Sequence, residues 1–91
     1  MSYITIFNHI SNKYPKTNEN IKIFEELKEL LYPYLNILSN TLSNEHNPSK
    51  RFIILLQIYS CIKSNLEFRI KNNLNWFNKL LIKKLNQSEQ N

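Results

Sequence analysis

Glycine is absent from this 91-residue chain, and so are alanine, valine and aspartate. Without glycine, no glycine-rich loop can press backbone amides against a phosphate, which excludes P-loop, dinucleotide-fold and kinase-type nucleotide sites. Without aspartate, calcium loops of the EF-hand kind are excluded as well. A single cysteine, Cys61, allows neither an intramolecular disulfide nor a thiolate metal cluster. The longest apolar run, Phe52 to Leu56, stops at Gln57, far short of the roughly 20 residues that cross a bilayer. Met1 to His9 lack the basic start and long apolar core of a secretory signal. The chain is therefore expected to work in the cytoplasm. The four missing residue types all have codons beginning with G, so the 15 asparagines and the 25 isoleucines and leucines read as the mark of a low-GC genome. The asparagine content is not a prion-like tract.

What is present fits one small globular domain spanning residues 1–91. A chain of 11.0 kDa supports a single core and buries roughly 60–65% of the surface its unfolded form exposes. The net charge of +5 is unevenly placed. Residues 1–49 carry four lysines against five glutamates, a balance of −1; from Lys50 onward eight basic residues face Glu67 and Glu89, a balance of +6. A basic half points to an anionic partner: nucleic acid, phospholipid headgroups or an acidic protein face.

Helical periodicity predicts four segments, at about 2–14, 19–42, 50–71 and 73–86. Tyr3, Phe7, Ile10 and Tyr14 recur at steps of four, three and four, one side of a helix that Ser2 is placed to cap and Pro15 to end. The second segment starts after Asn18 or Asn20, and Phe24, Leu27, Leu31, Leu35, Leu38 and Leu42 form its stripe. Pro33 lies within it and removes the amide that would bond the Glu29 carbonyl, so a kink or a break is expected near Tyr32. Thr41 to Ser49 reads as a loop, with Ser49 as the cap of the third segment.

The third segment is the most apolar. Phe52, Leu55, Leu56, Tyr59, Ile62, Leu66 and Ile70 make one stripe, and Ile54, Ile58, Cys61 and Phe68 a second beside it. A helix apolar over most of its circumference is expected to be surrounded by neighbours. Asn72 and Asn73 then supply a turn, and Leu74, Phe77, Leu81 and Leu85 face inward from the fourth segment, followed by a polar tail. The expected fold is all-α, a single antiparallel four-helix bundle with the second helix kinked or broken at Pro33.

No enzyme site is legible. His9 and His46 stand apart without a carboxylate or cysteine at metal spacing, and Cys61 on an apolar helix face is a small buried hydrophobe. Glu25, Glu26 and Glu29, beside Lys22 and Lys28, read as a solvated helix face. Neither a metal nor a cofactor is implied. The one surface feature with chemical character is the cluster of Arg69, Lys71, Trp76, Lys79, Lys83 and Lys84. Cations interleaved with an aromatic can hold a nucleic-acid backbone while a base stacks on the ring. The same residues can rest on an anionic membrane or dock on an acidic protein. With Trp76 in the core instead, the lysines simply face water.

From Asn20 to Asn86 the chain resembles the small immunity proteins that protect producers of pediocin-like bacteriocins. The residues that carry the likeness are Leu27-Lys28-Glu29-Leu30-Leu31-Tyr32-Pro33-Tyr34-Leu35, the loop with Pro48, the apolar run from Ile53 through Cys61 to Leu66, and the closing Leu74 to Leu85 segment. The resemblance implies an antiparallel four-helix bundle in the cytosol of a Gram-positive bacterium, at most peripheral to the inner face of the membrane. It implies protection against a pore-forming peptide, by engaging the peptide's membrane-embedded receptor, a sugar phosphotransferase permease, or the receptor–bacteriocin complex. In that family the C-terminal half largely decides which bacteriocin is resisted, which here maps onto Arg69 to Lys84 and the tail. The chain departs from the family pattern in Pro33, in its lack of glycine and in its short tail. The alternatives are a basic helical nucleic-acid-binding module, nucleic acid being the less favoured partner, or a structural subunit of a larger assembly.

Overall fold

The computed structural model describes residues 2–89, with the side chains of 73–81 and 84–89 outside that description. Among the described residues the chain is all-helical and has three helices: α1 (Tyr3–Ser11), α2 (Asn18–Asn44) and α3 (Pro48–Glu89). The expected four-helix bundle is thereby corrected. The third and fourth segments are one 42-residue helix, with no turn at Asn72 and Asn73. Asparagine costs a helix well under 1 kcal/mol per residue relative to alanine, too little to break it without a proline or glycine to help.

The ends of the helices follow from local chemistry. α1 stops at Ser11, three residues before the expected end, and single tight turns carry the chain on: the Lys13 amide donates to the Ile10 carbonyl at 3.1 Å and the Tyr14 amide to the Ser11 carbonyl at 3.1 Å. Thr17, not an asparagine, caps α2: its Oγ1 accepts from the Asn20 amide at 3.2 Å. Buried Asn20 turns its side chain back instead, and its Nδ2 donates to the Pro15 carbonyl at 2.9 Å. α2 continues through Pro33 unbroken. Pro33 is exposed, so water can take the place of the missing bond to Glu29.

The link between α2 and α3 is only 45–47, shorter than the loop expected. Pro48 opens α3, where a missing amide costs nothing. Asn47, rather than Ser49, is the cap: its Oδ1 accepts from the amides of Ser49 at 3.0 Å and Lys50 at 3.2 Å. The Arg51 guanidinium then donates to the carbonyls of Leu42 at 2.7 Å and Glu45 at 2.9 Å, satisfying the open end of α2 and fixing the start of the hairpin.

α2 and α3 form this antiparallel hairpin, and α1 lies across one of its faces. Phe7, Ile10, Leu27, Leu35, Ile58, Ile62 and Leu66 are fully buried between the three helices. Aromatic contacts tie α1 to α2: the rings of Tyr3 and Tyr32 meet edge-on at 6.1 Å, and the Lys28 ammonium sits 5.5 Å from the centre of the Phe7 ring. In α3 the buried stripe is Ile54, Ile58, Ile62 and Leu66, drawn from both expected stripes at steps of four. The expectation that α3 is enclosed is corrected: Phe52, Ile53, Leu56 and Phe68 are exposed, Phe52 by 62% and Phe68 by 64%. Two neighbours, one of them nine residues long, cannot cover a helix that is apolar most of the way round.

Candidate functional site

Two groups stand out among the exposed apolar residues. On the α1 side of the hairpin, Thr5, Ile6 and His9 of α1 and Phe52, Leu55, Leu56 and Tyr59 of α3 line an open groove of about 450 Å³. Its origin is the short α1: Phe7 and Ile10 turn into the core, which leaves the Thr5–His9 flank beside the uncovered edge of α3. On the other side of the hairpin, Leu30, Tyr34 and Ile37 project from α2 at steps of four and three, with Leu30 66% exposed. Phe68 and half-buried Cys61 flank that stripe from α3, as 100° per residue requires.

The residues expected to contact a partner are distributed unevenly. Arg69 is not a free cation, because its guanidinium donates to the carboxylate of Glu26 and so clamps the start of α2 to α3. Both side chains remain half-exposed, so the clamp is worth at most about 1 kcal/mol. Together with Glu19, Lys22, Ile23 and Asn72 they border a shallow cleft. Lys71 and Lys83 are exposed along α3, and Ile82 beside Lys83 is exposed as well. Lys63 is exposed too and leans toward Glu67 at 4.0 Å. Trp76, Lys79 and Lys84 belong to α3, but their side chains lie outside the described residues.

Burial pushes the Cys61 thiol up from its ordinary range, opposed by the Asn65 side chain, and a protonated thiol is a poor nucleophile. Asn65 Nδ2 donates to the Cys61 carbonyl at 2.7 Å, a bond along one helix face. His9 lines the apolar groove, which Cys61 does not reach. Among the described residues no group of three histidine, cysteine or carboxylate side chains is placed to hold a metal ion.

Sequence reasoning missed the groove and the α2 stripe. Leu30, Tyr34 and Ile37 recur at helical spacing just as the core leucines do, and that second stripe was the available signal. The Thr5–His9 flank had no comparable signal, since its role follows from how α1 is docked. What these surfaces offer is contact: apolar area with a few polar groups at the rim, the chemistry of recognition. Among the described residues no helix is long and apolar enough to cross a membrane. No family model matches the chain, and neither a curated protein nor a solved structure matches it.

Proposed function

We propose that the chain is a non-enzymatic immunity protein of the pediocin-like kind, which protects the cell by binding a membrane-embedded receptor, or the receptor–bacteriocin complex, from the cytosol. The observation that carries this reading is an apolar groove left open between α1 and α3 on a molecule whose α3 also presents exposed Lys71 and Lys83. Apolar anchors supply affinity to a protein partner, while lysines favour the anionic inner surface on which such a partner sits. The resemblance over Asn20 to Asn86 supports the same assignment.

Expression in a strain sensitive to pediocin-like peptides is expected to raise tolerance to one of them. Unchanged killing across a panel of such peptides overturns the reading. In a protected strain, Phe52→Ser or the double change Lys71→Glu, Lys83→Glu is expected to remove protection without loss of helical circular dichroism.

The balance of +6 after Lys50 supports a second reading, a nucleic-acid-binding module. That reading requires affinity falling by about tenfold or more between about 50 and 200 mM salt. Absence of binding at low salt removes it.

A further inference from the structure

We propose that the groove between α1 and α3 binds a free fatty acid, a single-chain carboxylate amphiphile, with its tail toward Phe52 and its head between His9 and Tyr59. Tyr3 at the start of α1 meets Tyr32 of α2, and Tyr14, just past α1, meets Phe24. α1 therefore runs against α2 and in the same sense as α3. It follows that Thr5 and Phe52 mark one end of the groove, and His9 and Tyr59 the other. Between them lie only the apolar side chains of Ile6, Leu55 and Leu56. The volume of about 450 Å³ is that of a small-molecule site, whose walls are mostly apolar and whose few polar groups fix the ligand's orientation. From Phe52 to Tyr59 α3 rises about 10 Å, which suits a medium-length tail.

The two ends differ in the charge they leave unmatched. At the Phe52 end Lys50 faces Glu45, and the Arg51 guanidinium is taken up by the carbonyls of Leu42 and Glu45. At the other end the exposed His9 imidazole can donate a hydrogen bond in either protonation state, and the Tyr59 phenol, which lies close enough to Tyr14 to act on it electrostatically, is a second donor. Lys63 stands exposed one turn beyond Tyr59, and Lys13 is exposed four residues after His9. Against these cations stands Glu67, which meets Lys63 at 4.0 Å, so Lys13 and His9 are left in excess. A carboxylate head placed there gains charge-assisted hydrogen bonds. The tail covers Phe52 and Leu56, which are 62% and 47% exposed, and removes that apolar surface from water. A bilayer phospholipid brings two tails to this single channel and must leave its leaflet to do so, which makes the free acid the source. The proposal goes beyond the receptor reading and does not rest on it; both use this groove, and there a bound fatty acid and a protein partner exclude each other.

Calorimetric titration of the purified full chain with octanoate, decanoate and dodecanoate, each kept below its micelle-forming concentration, tests the proposal. Dodecanoate is expected to saturate a single site with a dissociation constant below about 1 mM. Affinity is expected to rise about 4- to 15-fold for each added pair of methylenes, the lower figure for a tail half-covered by the groove. No saturable binding, or an affinity independent of chain length, overturns the proposal. Dodecanol is expected to bind about 10-fold more weakly or worse, because it lacks the charged acceptor; equal affinity overturns the carboxylate head. Leu56→Glu, at an exposed position, is expected to keep the helical circular dichroism and weaken dodecanoate about 10-fold or more, while Tyr34→Glu on the opposite side of the hairpin leaves it unchanged. Undiminished binding to Leu56→Glu overturns the site. His9→Ala with Lys63→Ala is expected to weaken dodecanoate about 10-fold and dodecanol less than about 2-fold; equal losses overturn the placement of the head. Binding to anionic phospholipid vesicles without binding to monomeric dodecanoate overturns the free acid as ligand. A chain that binds dodecanoate yet gives a sensitive strain no protection sinks the receptor reading alone, and one that protects without binding dodecanoate sinks this proposal alone.

Discussion

Ile58 and Ile53 sit five residues apart on one helix, yet Ile58 has no exposed surface and Ile53 is 55% exposed. Truncating Ile58 opens a cavity between α2 and α3, so Ile58→Ala is expected to cost about 2–5 kcal/mol. Ile53→Ala is expected to stay within about 0.5 kcal/mol. Urea unfolding of the two variants checks the difference, and equal losses would mean that the buried stripe of α3 is misplaced. A second residue-scale expectation concerns pH. Burial raises Tyr3 above its ordinary 10.0, aided by Tyr32, and burial likewise raises Tyr14, aided by Glu67 and Tyr59. The fold thus favours the neutral phenols. Below about pH 10 both states hold the protons and the contribution is intact. As pH rises through and above that value the unfolded chain ionises first and stability falls. Tyr3→Phe with Tyr14→Phe is expected to reduce this alkaline loss, read as a smaller decline in thermal midpoint between pH 9 and pH 11.

At the scale of the helix, Pro33 is the residue whose effect the sequence overstates. It lies within α2 and removes one backbone bond, but it is exposed, and a freed carbonyl facing water loses much less than a buried one. Pro33→Ala restores the Glu29 carbonyl's partner and is expected to stabilise the chain by about 1–3 kcal/mol, measured by the urea midpoint. A loss of stability instead would show that the docking of α1 against Tyr32 needs the proline. The helical class and the core stripe of α2 were legible because each rests on steps of three and four, whereas α1 stops at Ser11, ahead of the end expected from Pro15. The boundary at Asn72–Asn73 was not, because asparagine only permits a turn and tertiary packing decides whether one forms. The capping residues were displaced for a related reason. Thr17 and Asn47 compete with nearby Asn18, Asn20 and Ser49 of almost equal capping strength, and Pro48, suited to the first helical position, selects Asn47. Of the site, the lysines could be read from composition. The groove could not, since it depends on how far the short α1 reaches along α3.

The molecule as a whole is elongated, 67 Å by 21 Å by 20 Å, with a radius of gyration of 17.9 Å. A compact chain of this length would have about 12 Å. The excess comes from α3, because every buried apolar side chain of the described core lies between Tyr3 and Leu66, while α3 continues to Glu89. Residues up to Asn72 contain the described core, and α3 goes on from there as an arm of residues 73–89, in which Ile82 and Lys83 are exposed. A chain ending at Asn72 retains Leu35, Ile58, Ile62 and Leu66 with all their described neighbours. It is expected to unfold cooperatively in urea, as a single small domain does. Small-angle scattering of this shorter chain is expected to give a radius of gyration below about 14 Å, set by the length of α2 and not by the arm. If the shorter chain is unfolded, the residues after Asn72 are part of the folding unit, and the division between core and arm fails. If it folds and protects a sensitive strain as well as the full chain does, the arm is not what meets the receptor, and the α1–α3 groove is left as the surface that does.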